Sequence, residues 1–101
     1  MQLELKAFLL LTDAVMITDE EGVILDVNSV YVTKTGFSRE STIGQPARLL
    51  MDTHWRGNQT WSGVAKLMKV DQEVWEAQVT ITSVHLDDSL FYISIFNDEF
   101  S

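Results

Sequence analysis

A chain of 101 residues has room for one domain around one core. Apolar residues make up 46% of it and charged ones 22%, an ordinary globular balance, and the lack of cysteine removes disulfides, thiolate metal sites and cysteine nucleophiles. Fifteen acids against seven bases leave a net charge of −8 with no cluster of Lys and Arg, which argues against a nucleic-acid partner.

At the start of the chain, Leu3, Leu5, Phe8, Leu9 and Leu10 are broken by Gln2, Glu4 and Lys6, a pattern that suits a short amphipathic helix with one wide apolar face. Residues 1–13 are read as this helix and 14–101 as the domain proper. No apolar run approaches the ~20 residues of a membrane helix. The patch from Ala7 to Leu11 lacks a basic region before it and makes a poor signal peptide. The expectation is a soluble, cytoplasmic domain without membrane contact.

Val15 to Thr18 and Val23 to Val27 are two apolar runs around the acidic turn Asp19-Glu20-Glu21-Gly22, and Gly22 can take the positive φ that closes such a turn. Asn28 follows, where its side-chain oxygen can accept from free N–H groups one turn into a helix. The segment from Ser29 to Thr35 is rich in β-branched residues, which favours a strand, but Asn28 before it and Gly36 after it punctuate a helix. Ser38 caps a further short turn through Arg39, Glu40 and Ser41. Pro46 opens a segment that holds Leu49, Leu50, Met51, His54 and Trp55.

The last forty residues read as strands. Trp61 to Lys69 is one, Val70 to Glu73 a turn, and Val74 to Val84 a strand in which Trp75, Ala77, Val79 and Ile81 alternate with polar residues. After a turn at Leu86 to Ser89, Leu90 to Asn97 sets Phe91, Ile93 and Ile95 on one face and Tyr92, Ser94 and Phe96 on the other. Both faces of this strand are apolar, so its outer face needs a cover, from the leading helix or from a second subunit. Two strands, several short helices and three more strands make an α+β fold.

Catalytic chemistry is not evident. A nucleophile needs a positioned base, and the chain has only His54 and His85, no cysteine and no glycine-rich phosphate loop. The acids at 19–21 and 87–88 fall in turns, where solvated carboxylates are ordinary. Asp52 and His54 supply two ligands without a third, so no metal site is expected.

The residues Ile17-Thr18-Asp19, Gly22, Ile24, Val27-Asn28, Thr35-Gly36-Phe37-Ser38 and Ile43-Gly44, in that order, resemble the PAS family of sensory domains. The resemblance implies a five-stranded antiparallel sheet with short helices on one face, and an N-terminal amphipathic helix that often serves in dimerisation. It makes Asp19, Gly22, Asn28, Gly36 and Gly44 structural positions. It offers Tyr31, Thr35, Leu50, Leu67, Val79, Ile81, Ile93 and Ile95 as cavity residues, each also a plausible core residue. Leu5, Phe8, Leu9, Tyr92 and Phe96 are the implied dimer interface. The family usually has a longer segment, with a substantial helix over the pocket, where this chain has only residues 45–60.

Relatives bind haem, flavin or small metabolites between sheet and helices. Here no cofactor is the first expectation, with haem or flavin as alternatives. His54 is the one haem-ligand candidate, Trp55, Trp61 and Trp75 could stack on a flavin, and the lack of cysteine removes flavin adduct photochemistry. The function implied is a bacterial sensory and regulatory module of the histidine kinase or diguanylate cyclase type. It would bind a small ligand, form a homodimer and pass the signal beyond Asn97-Asp98 to a covalently linked output domain. A ligand-free dimerisation and relay domain is the alternative.

Overall fold

A computed structural model describes residues 3–47 and 60–98. One five-stranded sheet holds β1 (Ala14–Asp19), β2 (Ile24–Val27), β3 (Trp61–Met68), β4 (Val74–Leu86) and β5 (Ser89–Asp98). All its pairings are antiparallel, in the spatial order β2-β1-β5-β4-β3. Helices α2 (Ser29–Thr35) and α3 (Arg39–Thr42) connect the two halves of the sheet on its inner side. The leading segment, α1 (Leu3–Lys6) continued by a 3₁₀ turn (Ala7–Leu10), lies against the outer side. The expected single amphipathic helix is thus split into two short pieces.

Two apolar layers sandwich the sheet. The inner one includes Met16, Ile24, Val27, Tyr31, Trp75, Ala77, Val79, Ile81 and Phe96. The outer one gathers Leu5, Val15, Ile17 and Ile93, with Phe8, Leu9, Phe91 and Ile95 packed on them. Residues 14–18 of β1 are all buried, because this strand is covered on both faces. The cover over β5 comes from the chain's own leading segment.

That arrangement corrects the expected faces of β5. Ile93 and Ile95 belong to the outer layer, and Phe96 belongs to the inner one, where its ring centroid stands 5.8 Å from that of Tyr31 and 6.0 Å from that of Trp75. Tyr92 also packs on the inner layer. The register explains the reversal: Phe96 lies opposite Val79 and Ala14, and residues directly opposite share a face.

Local chemistry fixes the helices between the sheet halves. The Asn28 side-chain oxygen accepts from Tyr31 N–H at 3.0 Å, which caps α2, and from Val15 N–H at 3.0 Å. Its amide nitrogen donates to the Asp13 carbonyl at 2.8 Å. One buried side chain thereby joins the chain entry, β1 and α2. At the other end of α2, Gly36 adopts φ +82°, and a Cβ built there would stand 2.4 Å from Val70 Cγ1. Only glycine meets both demands without displacement. Beside it, Val70 N–H donates to the Thr35 carbonyl at 2.8 Å, fastening α2 to the β3–β4 turn.

Ser38 caps α3, its hydroxyl accepting from Ser41 N–H at 3.1 Å. The Arg39 guanidinium grips Asp26 through two bonds, 2.6 and 2.8 Å, so α3 is pinned to β2. The turn before β2 is closed by the Asp19 carboxylate, which accepts from Glu21 and Val23 N–H. Gly44 N–H donates to the Ile24 carbonyl at 2.8 Å and Ala47 N–H to the Gly22 carbonyl at 2.8 Å, laying residues 44–47 along the β2 edge.

Candidate functional site

Between the inner sheet face and the helices lies a cleft of about 730 Å³. Its sheet side is made by Met16, Ile24, Trp61, Ala65 and Leu67. Opposite them stand Tyr31, Phe37, Ser41 and Thr42, with Gln45, Pro46 and Ala47 closing one end. Val64, Lys66 and Met68, all exposed, line it along the edge strand β3. The volume falls in the range of small-molecule sites, roughly 300–1,000 Å³.

Among the described residues the lining is mostly apolar and neutral, and its ionisable groups are Tyr31 and Lys66. Burial raises the Tyr31 phenol above its ordinary value, so it stays protonated at neutral pH. Lys66 is exposed and stands 4.0 Å from the Glu76 carboxylate. Among the described residues no group of His, Cys, Asp and Glu is placed to hold a metal ion.

Of the expected cavity residues, Tyr31 and Leu67 line this cleft. Thr35 sits at the end of α2 with its hydroxyl donating to the Tyr31 carbonyl at 2.9 Å, a helix contact. Val79 and Ile81 are fully buried in the inner layer beneath the lining. Ile93 and Ile95 are on the far side of the sheet and do not reach the cleft. Leu50 and His54 lie outside the described residues, as does Trp55. Haem needs an axial ligand, and no histidine lines the cleft among the described residues.

The expected interface residues are also redistributed. Leu5 is completely buried against this chain's own sheet, Phe8 and Leu9 are half-buried there, and Tyr92 and Phe96 face inward. What the leading segment leaves exposed is Leu3 (79%), Leu10 (85%) and Leu11 (43%).

A linkage that the sequence did not suggest runs from the cleft to the end of β5. The Asp98 carboxylate accepts from Lys34 Nζ at 2.7 Å and from Trp75 Nε1 at 2.9 Å. These two donors, Lys34 first, hold the Asp98 carboxyl below its usual range. Lys34 Nζ also lies 5.9 Å from the Trp75 ring centroid. Lys34 follows Tyr31 on α2, and Trp75 touches Phe96, which touches Tyr31.

The PAS fold family model matches residues 4–98. No curated protein matches the chain. Among solved structures, it is similar to the PAS domain of a protein from Colwellia psychrerythraea, with 22% identity, a TM-score of 0.74, and 94% of this chain and 92% of that one covered. It is similar to a PAS domain from a two-component sensor histidine kinase, with 14% identity, a TM-score of 0.75, and 97% and 100% covered. A LOV domain from the Erythrobacter litoralis EL346 blue-light activated histidine kinase is also similar, with 17% identity, a TM-score of 0.71, and 88% and 97% covered.

Proposed function

The chain belongs to the PAS fold family, and from that premise we propose that it is a sensory and regulatory module of a bacterial signalling protein, binding a small ligand and relaying its occupancy to a linked output domain. The cleft carries this proposal: an apolar, largely neutral recess of about 730 Å³ between two layers that the ligand would hold apart. The bound state would be selected by differential packing of α2 against the sheet, and the shift would travel to Asp98. Catalysis, if the whole protein has any, belongs to the output domain. No described helix is long and apolar enough to cross a membrane, in keeping with the proposed cytoplasmic setting.

An absorption scan of the purified domain, followed by native and denaturing mass spectrometry of the same sample, tests this. A small mass lost on denaturation, or a flavin or haem band, is the expected outcome of ligand capture. A clear spectrum, no extra mass and no uptake from a metabolite mixture refute it.

The second proposal is a ligand-free dimerisation and relay domain. The exposed Leu3, Leu10 and Leu11 favour it, as a patch that a second copy would cover. Light scattering on the native chain and on Leu3→Glu/Leu10→Glu decides it, a dimer converted to a monomer being the expected result.

A further inference from the structure

We propose that the cleft selects uncharged, largely apolar compounds bearing a carbonyl or amide group, and that the Thr18 and Ser94 hydroxyls receive that group. This deepens, and rests on, the ligand-binding proposal above. Both residues are completely buried, and neither Thr18 Oγ1 nor Ser94 Oγ has a hydrogen-bond partner among the described residues.

Their position is set by the register. Ser94 on β5 lies opposite Met16 on one side and Ile81 on the other, and Thr18 lies opposite Tyr92 and Ile24. All four neighbours belong to the inner layer, and Met16 and Ile24 line the cleft. Thr18 and Ser94 are therefore diagonal neighbours on the inner face, with Cα atoms roughly 7–8 Å apart, a span that one planar polar group with its flanking atoms can bridge. Neither lines the open cleft, but their neighbours Met16 and Ile24 do. Met16, unbranched and adaptable, would have to swing aside for a ligand to reach them, which a β-branched residue could not do.

The chemistry follows from what surrounds them. A buried hydroxyl without a partner costs stability, and Val at 18 and Ala at 94 would remove that cost without changing the strands. A compound that supplies the missing partner recovers it on binding. Each hydroxyl can donate to a carbonyl or accept from an N–H, so a ketone, amide or imide suits the pair. A charged group does not, because among the described residues the only charged one lining the cleft is Lys66 at the exposed edge strand, and an unpaired ion in this layer would be desolvated without compensation.

Acetophenone and ethylbenzene, near-isosteres that differ in a carbonyl, are the probes, titrated into the full chain and followed by protein-observed NMR. The native chain is expected to prefer acetophenone roughly tenfold, about one buried hydrogen bond. Thr18→Val/Ser94→Ala is expected to bind both equally and to melt higher than the native chain without ligand. If that double variant does not fold, Ser94→Ala alone carries the test, with a reduced preference. Equal binding of both probes by the native chain overturns the hydroxyl assignment and leaves the cleft proposal standing. Binding of neither overturns both. A lower melting temperature for the variants overturns the premise that the hydroxyls lack partners.

Discussion

Replacing Asn28 by Ala tests whether a single buried amide fastens the chain entry, the central strand and the first inner helix together. The side chain is 5% exposed, and its loss leaves the Val15 and Tyr31 N–H groups without their acceptor. A buried donor left unsatisfied costs about 1–3 kcal/mol, and losing an N-cap about 0.5–2 kcal/mol. The Tyr31 bond is the cap itself, so the two figures describe it once. With the Val15 donor added, about 2–4 kcal/mol is expected. At about 4–8 °C per kcal/mol for a domain of this size, melting falls by about 8–32 °C. Asn28→Asp keeps the acceptor and places negative charge at the start of α2, but it forfeits the bond to the Asp13 carbonyl. It is expected to cost about 1 kcal/mol at neutral pH. Urea denaturation and thermal melting, read by circular dichroism, measure both. An Ala variant melting within about 3 °C of the native chain, or an Asp variant as damaged as Ala, refutes the assignment.

Three further outcomes follow from the same contacts. The Arg39 hydrogen bonds hold the Asp26 carboxyl below its ordinary value against the opposing effect of burial, so the pair's contribution is complete above the unfolded value of ~3.9 and is lost as pH falls through the lower folded one. Arg39→Ala leaves the 5%-exposed carboxylate without its cation, should destabilise the chain at pH 7, and should flatten the acid limb of a stability–pH profile. Gly36→Ala combines a left-handed φ with the approach of Val70, whereas Gly22→Ala has the same handedness in open space. The second should cost about 1–2 kcal/mol and the first distinctly more, by urea denaturation. Asp98→Ala should speed amide exchange at the end of β5 and shift tryptophan emission, since Lys34 and Trp75 both lose their acceptor. Unchanged exchange and emission would show that this linkage is not formed in solution.

The features legible in the sequence are those whose cause is local. Asn28 before Ser29, Gly36 after Thr35 and Ser38 before Arg39 mark caps by short-range chemistry, and α2 forms between the expected boundaries despite its β-branched content. The faces of β5 were not legible. Alternation separates Phe91, Ile93 and Ile95 from Tyr92, Ser94 and Phe96, but both sets are apolar enough to be buried, and only the pairing with β4 and β1 decides which turns inward. The hydroxyl of Ser94, between Tyr92 and Phe96, gives no direction either, and the structure buries it. The Arg39–Asp26 pair joins residues 13 apart, and Lys34–Asp98 residues 64 apart, distances over which opposite charges in sequence carry no pairing information. Of the cleft, only Tyr31 and Leu67 follow from the expected positions; Ile24 and Trp61 line it from the two edge strands, β2 and β3, and Met16 from β1 beside β2.

Asp98 gains its meaning from a closed circuit of contacts. Tyr31 lines the cleft and packs on Phe96, Phe96 packs on Trp75, Trp75 donates to Asp98, and Asp98 accepts from Lys34, which returns to the helix that carries Tyr31. An exposed ion pair alone is worth little, so Lys34 by itself would not hold the end of β5. The buried Trp75 ring fixes its indole donor, which gives the carboxylate a set position, and the ammonium then closes the circuit. On the proposed sensory reading, a ligand that pushes Tyr31 would press on Asp98 along two routes, through packed rings and through the α2 backbone. Both ends of α2 are fastened, the first through Asn28 to β1 and the last through the Thr35 carbonyl to Val70 N–H. On the proposed reading, the cap argued above to be costly to the fold and the side chains that would carry the signal thus meet at one seven-residue helix.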